Sequence, residues 1–369
     1  MDAPFEYVFP AIRGIQAGRE YYVSMCPLRL LPKIFLFNEE ELVPELRAQR
    51  LLNRGRLPEI ARYIVENRDS YVFSAITASV DADVRFEPAS SLGERGLVGL
   101  LHVPMNARFI INDGQHRRAA IEAALRDAPE LADESIAVVF FHDKGLQRCQ
   151  QMFADLNRYA VRPARSLSVL YDHRDDKAML AKVVVSQLPA FRGLVEMERS
   201  TLSPRSRRLF TLSAIYTATG SLLNNLEIED PEERAEVSAA FWAGVAEQMA
   251  EWRLVQEGRM TSGEVREGFI HSHGVVLHAL GVVGNAVLVS ARDRSRVKWA
   301  DRLSPLKQVD WRRTSPAWEG RATLGGRVSK SFQNVILTGN LLKAKLGLPL
   351  HADEQRIEDA HVRGEHEAA

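Results

Sequence analysis

Between Phe109 and Leu125 the sequence FIINDGQHRRAAIEAAL sets Asp113, Gly114, Gln115, His116, Arg117 and Arg118 between an apolar run and an alanine-rich stretch. A glycine between a strand and a helix start lets the backbone come close to a ligand. The first helical N–H groups and the helix dipole then favour an anion. His116, Arg117 and Arg118 add donors suited to phosphate, and Asp113 stands where it can cap the helix, orient His116, or hold a metal or a water. The residue types equally allow a plain cap and turn, with Arg117 and Arg118 on a solvated face.

A second kind of chemistry lies in the last third. Between Arg292 and Lys345 basic residues, among them Arg312, Arg313, Arg321, Arg327 and Lys330, face only the acids Asp293, Asp301, Asp310 and Glu319. Lys and Arg equal Asp and Glu over the whole chain, 48 against 48, so this local excess predicts a polarised molecule with one positive face. Arginine's fork suits phosphate and guanine edges, and positive charge releases counterions from a duplex, which makes double-stranded DNA the natural partner. Trp299, Trp311 and Trp318 lie among these charges; the alternative is that they pack an ordinary basic segment onto a core. A smaller cluster, RSTLSPRSRRLF from Arg199 to Phe210, puts Arg205, Arg207 and Arg208 in a loop with phosphate-contacting chemistry or plain solvation. No segment reads as a helix-turn-helix.

The elements that must position these residues change character along the chain. Strand-like runs are expected at Phe5–Ile12, Tyr21–Pro27, Ser70–Val80, Gly99–Pro104, Arg108–Asn112 and Ile136–Asp143. LPEIARYIVEN carries the helical stripe Leu57, Ile60, Ala61, Ile64 and Val65, and Gln115–Arg126 is a second helix. Strand, turn, helix, strand is an α/β signature. Helical periodicity then dominates: Ala164–Tyr171, Asp175–Leu188, Leu209–Asn224, Pro231–Glu257, Val275–Ala291 and a short helix ended by Gly347, with a frayed acidic tail from Asp353.

Other constellations carry less. His271, His273 and His278 do not share one helical face and have no nearby cysteine, so no metal site is expected. Cys149 reads as a small buried hydrophobe, and Asp175-Asp176 as a helix cap. Two cysteines are too few for a disulfide framework, and the start MDAPFEYVFP has no secretory pattern, so the chain is expected to be cytoplasmic. The apolar stretch Gly274–Val289 is shorter than a membrane span and is expected to be a core helix.

DGQHRRAA after an apolar strand resembles the motif of the DGQHR-domain proteins, and the chain is similar in particular to the DndB family, regulators of DNA phosphorothioate (sulfur) modification clusters. QRLLNRGRLPEIARYIVEN at Gln49–Asn67, MFADLNRYAVRPARSLSVLYDHRDD at Met152–Asp176 and SPAWEGRATLGGRVSKSFQNVILTGNLLKAKLGLPL at Ser315–Leu350 extend the resemblance over most of the chain. It implies an α+β or α/β fold: a ParB-like mixed-sheet domain over 1–165, a helical domain over 166–291, and a basic segment, 292–369, packed on the latter. In such a core Gln49, Arg50 and Asn157 join Asp113, Gly114, Gln115, His116 and Arg117 around a nucleotide cleft. The implied function is a repressor of its own modification cluster, binding promoter DNA as a homo-oligomer through Arg205, Arg207, Arg208, Arg312, Arg313, Arg321, Arg327 and Lys330, with other modification proteins as further partners and no membrane. The alternative is a ParB-like hydrolase, an ATPase or CTPase, taking a nucleoside triphosphate with magnesium at catalytic Asp113, His116 and Arg117. No Gly-x-x-x-x-Gly-Lys-Ser/Thr loop occurs, which disfavours the usual P-loop ATPase.

Overall fold

Alternation of buried and exposed residues builds the first strand of the computed structural model. In β1 (Glu6–Gln16), Phe9 and Ala11 face the core while Val8, Pro10 and Ile12 face outward. The described residues are 5–35, 55, 57–89, 96–143, 148–158, 163–291 and 293–364. Gln49 and Arg50, assigned to the nucleotide cleft above, lie outside them.

Ala17 and Gly18 both have positive φ, 50° and 71°, and Gln16 pairs with Arg19 across them. That is the two-residue hairpin geometry whose twist matches the strands it joins, and it turns β1 into β2 (Arg19–Pro27). With β3 (Ile76–Asp81), β4 (Arg85–Pro88), β5 (Val98–Pro104), β6 (Arg108–Asp113) and β7 (Ser135–His142) they form one seven-stranded sheet, ordered β4-β5-β1-β2-β7-β3-β6. All its pairings are antiparallel except β3 with β7. The helices Leu57–Glu66 and Gln115–Asp127 pack together, with Ile64, Ala120, Ile121 and Ala124 in the same core as Phe9, Leu101, Val138 and Phe140. This unit runs from Met1 to Val161.

Its third strand begins at Ile76 rather than Ser70. The β3–β6 pairing ends where Thr77 meets Asp113, because the chain beyond Asp113 turns into a helix and leaves earlier residues no partner there. Phe73 instead packs its ring against those of Tyr63 and Tyr71, tilted to the first and edge-on to the second.

The second unit, Arg162–Ala369, is helical. Its centre is the helix Gly274–Ser290, packed against Leu212–Leu222 and Phe332–Lys345. Gly281 makes the first contact close: a Cβ there would overlap the carbonyl of Ala218. Trp242, Trp252, Phe191, Phe210 and Phe241 fill the core, and Trp299, Trp311 and Trp318 belong to it as well. The tryptophans of the basic segment therefore anchor it to the helices, the alternative left open above.

Two expectations are corrected here. The segment Pro231–Glu257 is two helices, Pro231–Gln248 and Ala250–Gln256, because Met249 leaves helical geometry at φ −102° and ψ 90°. The acidic tail is not frayed from Asp353 onward: Ala352–Arg363 is a helix, started by the His351 N–H donating to Glu354 Oε2 at 2.9 Å.

Candidate functional site

The DGQHR turn sits at the end of β6, the edge strand of the sheet. Gly114 opens the helix Gln115–Asp127 at φ 107° and ψ 15°, a conformation that disfavours any side chain, and no side chain caps the helix start. Asp113 is thus not the cap that the sequence allowed. It pairs with Arg117, whose Nη2 donates to Asp113 Oδ2 at 2.5 Å while Nη1 donates to the Ser74 carbonyl at 3.3 Å. Arg118 is not on a solvated face: it is buried, its Nη1 lies 2.8 Å from Glu122 Oε2, and its Nε has no partner among the described residues. Burial lowers the pKa of that guanidinium. Gln115 is buried and His116 half-buried on the first turn. Asn112, just before the motif, is buried and donates to Ser79 Oγ at 2.8 Å. The helix start is therefore without a side-chain cap but buried at Gly114 and Gln115, while Arg117 and Arg118 are both engaged within the unit. Asn157 falls in the helix Cys149–Arg158; its side chain lies outside the described residues. Cys149 is fully buried, with its thiol 3.7 Å from Asp143 Oδ2.

In the helical unit the basic residues divide by partner. Arg321 is half-buried against Glu358, and Lys343 is buried with its ammonium 2.6 Å from Glu354 Oε1. Both acids belong to the tail helix, so the tail neutralises part of the charge that the sequence assigned to one positive face. Arg312 is forked onto Asp310 by two hydrogen bonds of 2.8 Å, and holds that carboxyl down at about 2. Arg313 donates Nε and Nη2 to the Gly326 carbonyl at 3.1 and 2.9 Å, and Arg208 donates to the Gly193 carbonyl. Arg205, Arg207, Arg327 and Lys330 are exposed, and their side chains have no hydrogen bond or carboxylate partner among the described residues.

The loop carrying Arg205, Arg207 and Arg208 is shaped by a residue not singled out in the sequence. Arg266 donates to the carbonyls of Ser203, Pro204, Ser206 and Arg208, gathering the loop around one guanidinium. The carbonyls point in and the basic side chains point out. The loop and the 313–330 segment, separated by more than a hundred positions, line one cavity of about 880 Å³ through Pro204, Arg313 and Lys330. Arg165 lines it too. The sequence signal for Arg165 was a cation opening a helix with no acid one turn along; for Arg266 there was none, because its partners are backbone carbonyls.

Two of the three histidines have hydrogen-bond partners. Trp252 Nε1 donates to His271 Nδ1 at 3.0 Å, which leaves Nε2–H to donate to Glu251 at 3.0 Å. His273 Nε2 donates to the Arg266 carbonyl, and His278 lies on the central helix. Asp175 caps the helix Asp176–Gln187 through the Lys177 N–H and also accepts from the Tyr216 hydroxyl.

A mixed sheet followed by a helical half defines an α+β protein with a loop-and-segment basic surface. The family model of DndB, described as DNA-sulfur modification-associated, matches residues 9–349, and the chain belongs to that family. No curated protein and no solved structure matches it. Among the described residues no helix is long and apolar enough to cross a membrane.

Proposed function

We propose that the chain is a DNA-binding regulator that represses the phosphorothioate modification cluster to which its family is tied. The observation carrying this reading is the set of exposed, carboxylate-free cations, Arg205, Arg207, Arg327 and Lys330, on two sequence-distant segments that line one cavity in a chain of a DNA-modification family. Exposed cations held on a clamped loop and an anchored segment lose little freedom on meeting phosphates, and each phosphate neutralised releases counterions. Sequence recognition then follows most simply from a homo-oligomer reading an inverted repeat in the promoter.

The test is a mobility shift on the promoter of its own cluster across a salt series. Charge reversal of Arg205, Arg207 and Arg327 to Glu is expected to weaken binding on every sequence and flatten the log–log salt slope by about one unit per lost phosphate contact. Equal affinity for promoter and random duplex would overturn the regulator, and an unchanged salt slope in the triple variant would overturn this surface.

A further inference from the structure

The cavity of about 880 Å³ is lined at one side by Ser272, His273 and Gly274, the start of the central helix. His273 supplies no side-chain cap, and its ring bonds the Arg266 carbonyl instead. Ser272 is only 5 % exposed, and its hydroxyl has no hydrogen-bond partner among the described residues. A buried hydroxyl left in this way is unfavourable and rare in folded proteins. A ligand reaching it removes the penalty.

The cations around that point converge without acids of their own. Arg165 lies over the Tyr216 ring, 5.6 Å from its centroid, and pairs with no carboxylate among the described residues. Lys330 places Nζ 3.4 Å from where a Cβ on Gly274 would be, at the first turn of the helix. Arg313 and Arg266 complete the wall, each bonded only to carbonyl oxygens. Of the acids lining the cavity, Glu264 accepts from the Thr261 N–H and hydroxyl at 2.8 and 2.7 Å, and Glu267 is exposed. Burial, Lys330 and Arg165 together push His278, one turn along the same helix, down to about 4. The field is positive where the helix dipole is also positive. Leu202, Pro204 and Leu209 add an apolar wall, and the volume is that of a small-molecule site rather than of a lone inorganic ion.

We propose that this cavity binds a phosphate-bearing small molecule of mononucleotide size, its phosphate seated at the start of the helix Gly274–Ser290 between Arg165, Lys330 and the Ser272 hydroxyl. A duplex could offer the same phosphate chemistry, but the backbone of a rod does not reach a hydroxyl this deeply buried. The ligand's use as an effector rests on the regulator reading, since Lys330 belongs both to the cavity and to the surface proposed for DNA, and Pro204 of the cavity wall adjoins Arg205 of that surface. An anion bound there lowers the positive charge facing the duplex, so ligand and promoter oppose each other.

The test uses the full chain in calorimetric titrations with inorganic phosphate, pyrophosphate and AMP, with adenosine as the phosphate-free control. Saturable binding is expected for all three phosphates and not for adenosine, with AMP roughly tenfold tighter than inorganic phosphate because its body fills the apolar wall. Arg165→Glu and Lys330→Glu, both at exposed positions, are each expected to lower AMP affinity roughly tenfold or more with the melting temperature unchanged. Ser272→Ala, which removes one oxygen and adds no bulk, is expected to lower it severalfold. Absence of phosphate binding by the wild type, or binding that all three variants leave intact, overturns the site. So does a titration in which a short duplex alone, and none of the small phosphates, responds to the variants. Saturating AMP is expected to weaken the promoter shift severalfold; a shift indifferent to bound AMP overturns the effector role alone. Loss of the promoter shift without ligand would instead strike the regulator reading and leave the cavity standing.

Discussion

Gly114 and Arg321 show how differently two motif-grade residues read. At Gly114 the backbone sits at φ 107°, and an added Cβ would come within 3.0 Å of Ile76 Cγ1 and 3.1 Å of Arg117 Nη2. Gly114→Ala is therefore expected to cost about 1–3 kcal/mol from backbone strain alone, read as a lower urea midpoint at constant m-value. That requirement was legible in DGQHR because it is local: a strand, a turn and a helix start within a few residues. The fate of the arginines was not. Arg321 looked like a DNA contact among its basic neighbours, yet its partner, Glu358, lies 37 positions away. Removing one member of such a half-buried pair leaves the other charge unmatched, so Arg321→Ala is expected to lose about 3 kcal/mol of stability. Any DNA defect in that variant would then follow its melting temperature; a variant as stable as the wild type would show that the pair is solvated and idle.

Between elements, close approach and clamping decide more than propensity. The helices Gly274–Ser290 and Leu212–Leu222 touch through Gly281 and the Ala218 carbonyl. Gly281→Ala, which on helix propensity alone should stabilise, is expected to destabilise by about 1–3 kcal/mol because the helices must part; a raised melting temperature would contradict that contact. The 203–208 loop depends on Arg266 in another way. Arg266→Ala is expected to leave the melting temperature nearly unchanged but to speed tryptic cleavage after Arg205 and Arg207, since the loop loses the donor that gathers its carbonyls. Unchanged cleavage would mean that the loop holds its shape unaided. Helix and strand positions were mostly legible from periodicity. The break at Met249 and the tail helix were not, because no glycine or proline marks the former and the latter's acids find their lysine and arginine only after the chain has folded back.

Across the molecule, burial holds His271, His273 and His278 below the usual histidine pKa, the last down to about 4. In the unfolded chain they titrate near 6.5, so below about pH 6.5 the unfolded state takes up protons that the folded state refuses. Stability is then expected to fall with pH, by as much as about 1.4 kcal/mol per histidine per unit, and to be insensitive to these groups above about pH 7.5. Urea midpoints at pH 7.5, 6.5 and 5.5 read this directly, and a midpoint constant or rising on acidification would contradict it. The order of strands then helices, the turn-forming glycine and the apolar character of the central helix were determined by the sequence itself, because each is written in the spacing and torsional preference of neighbouring residues. Which cations remain exposed and which are matched by carboxylates, and that Ser272, Arg165 and Lys330 meet at one helix start, only the tertiary structure decided. Charge pairing and cavity formation depend on through-space distance, and residues far apart in a chain acquire that distance only when the core closes.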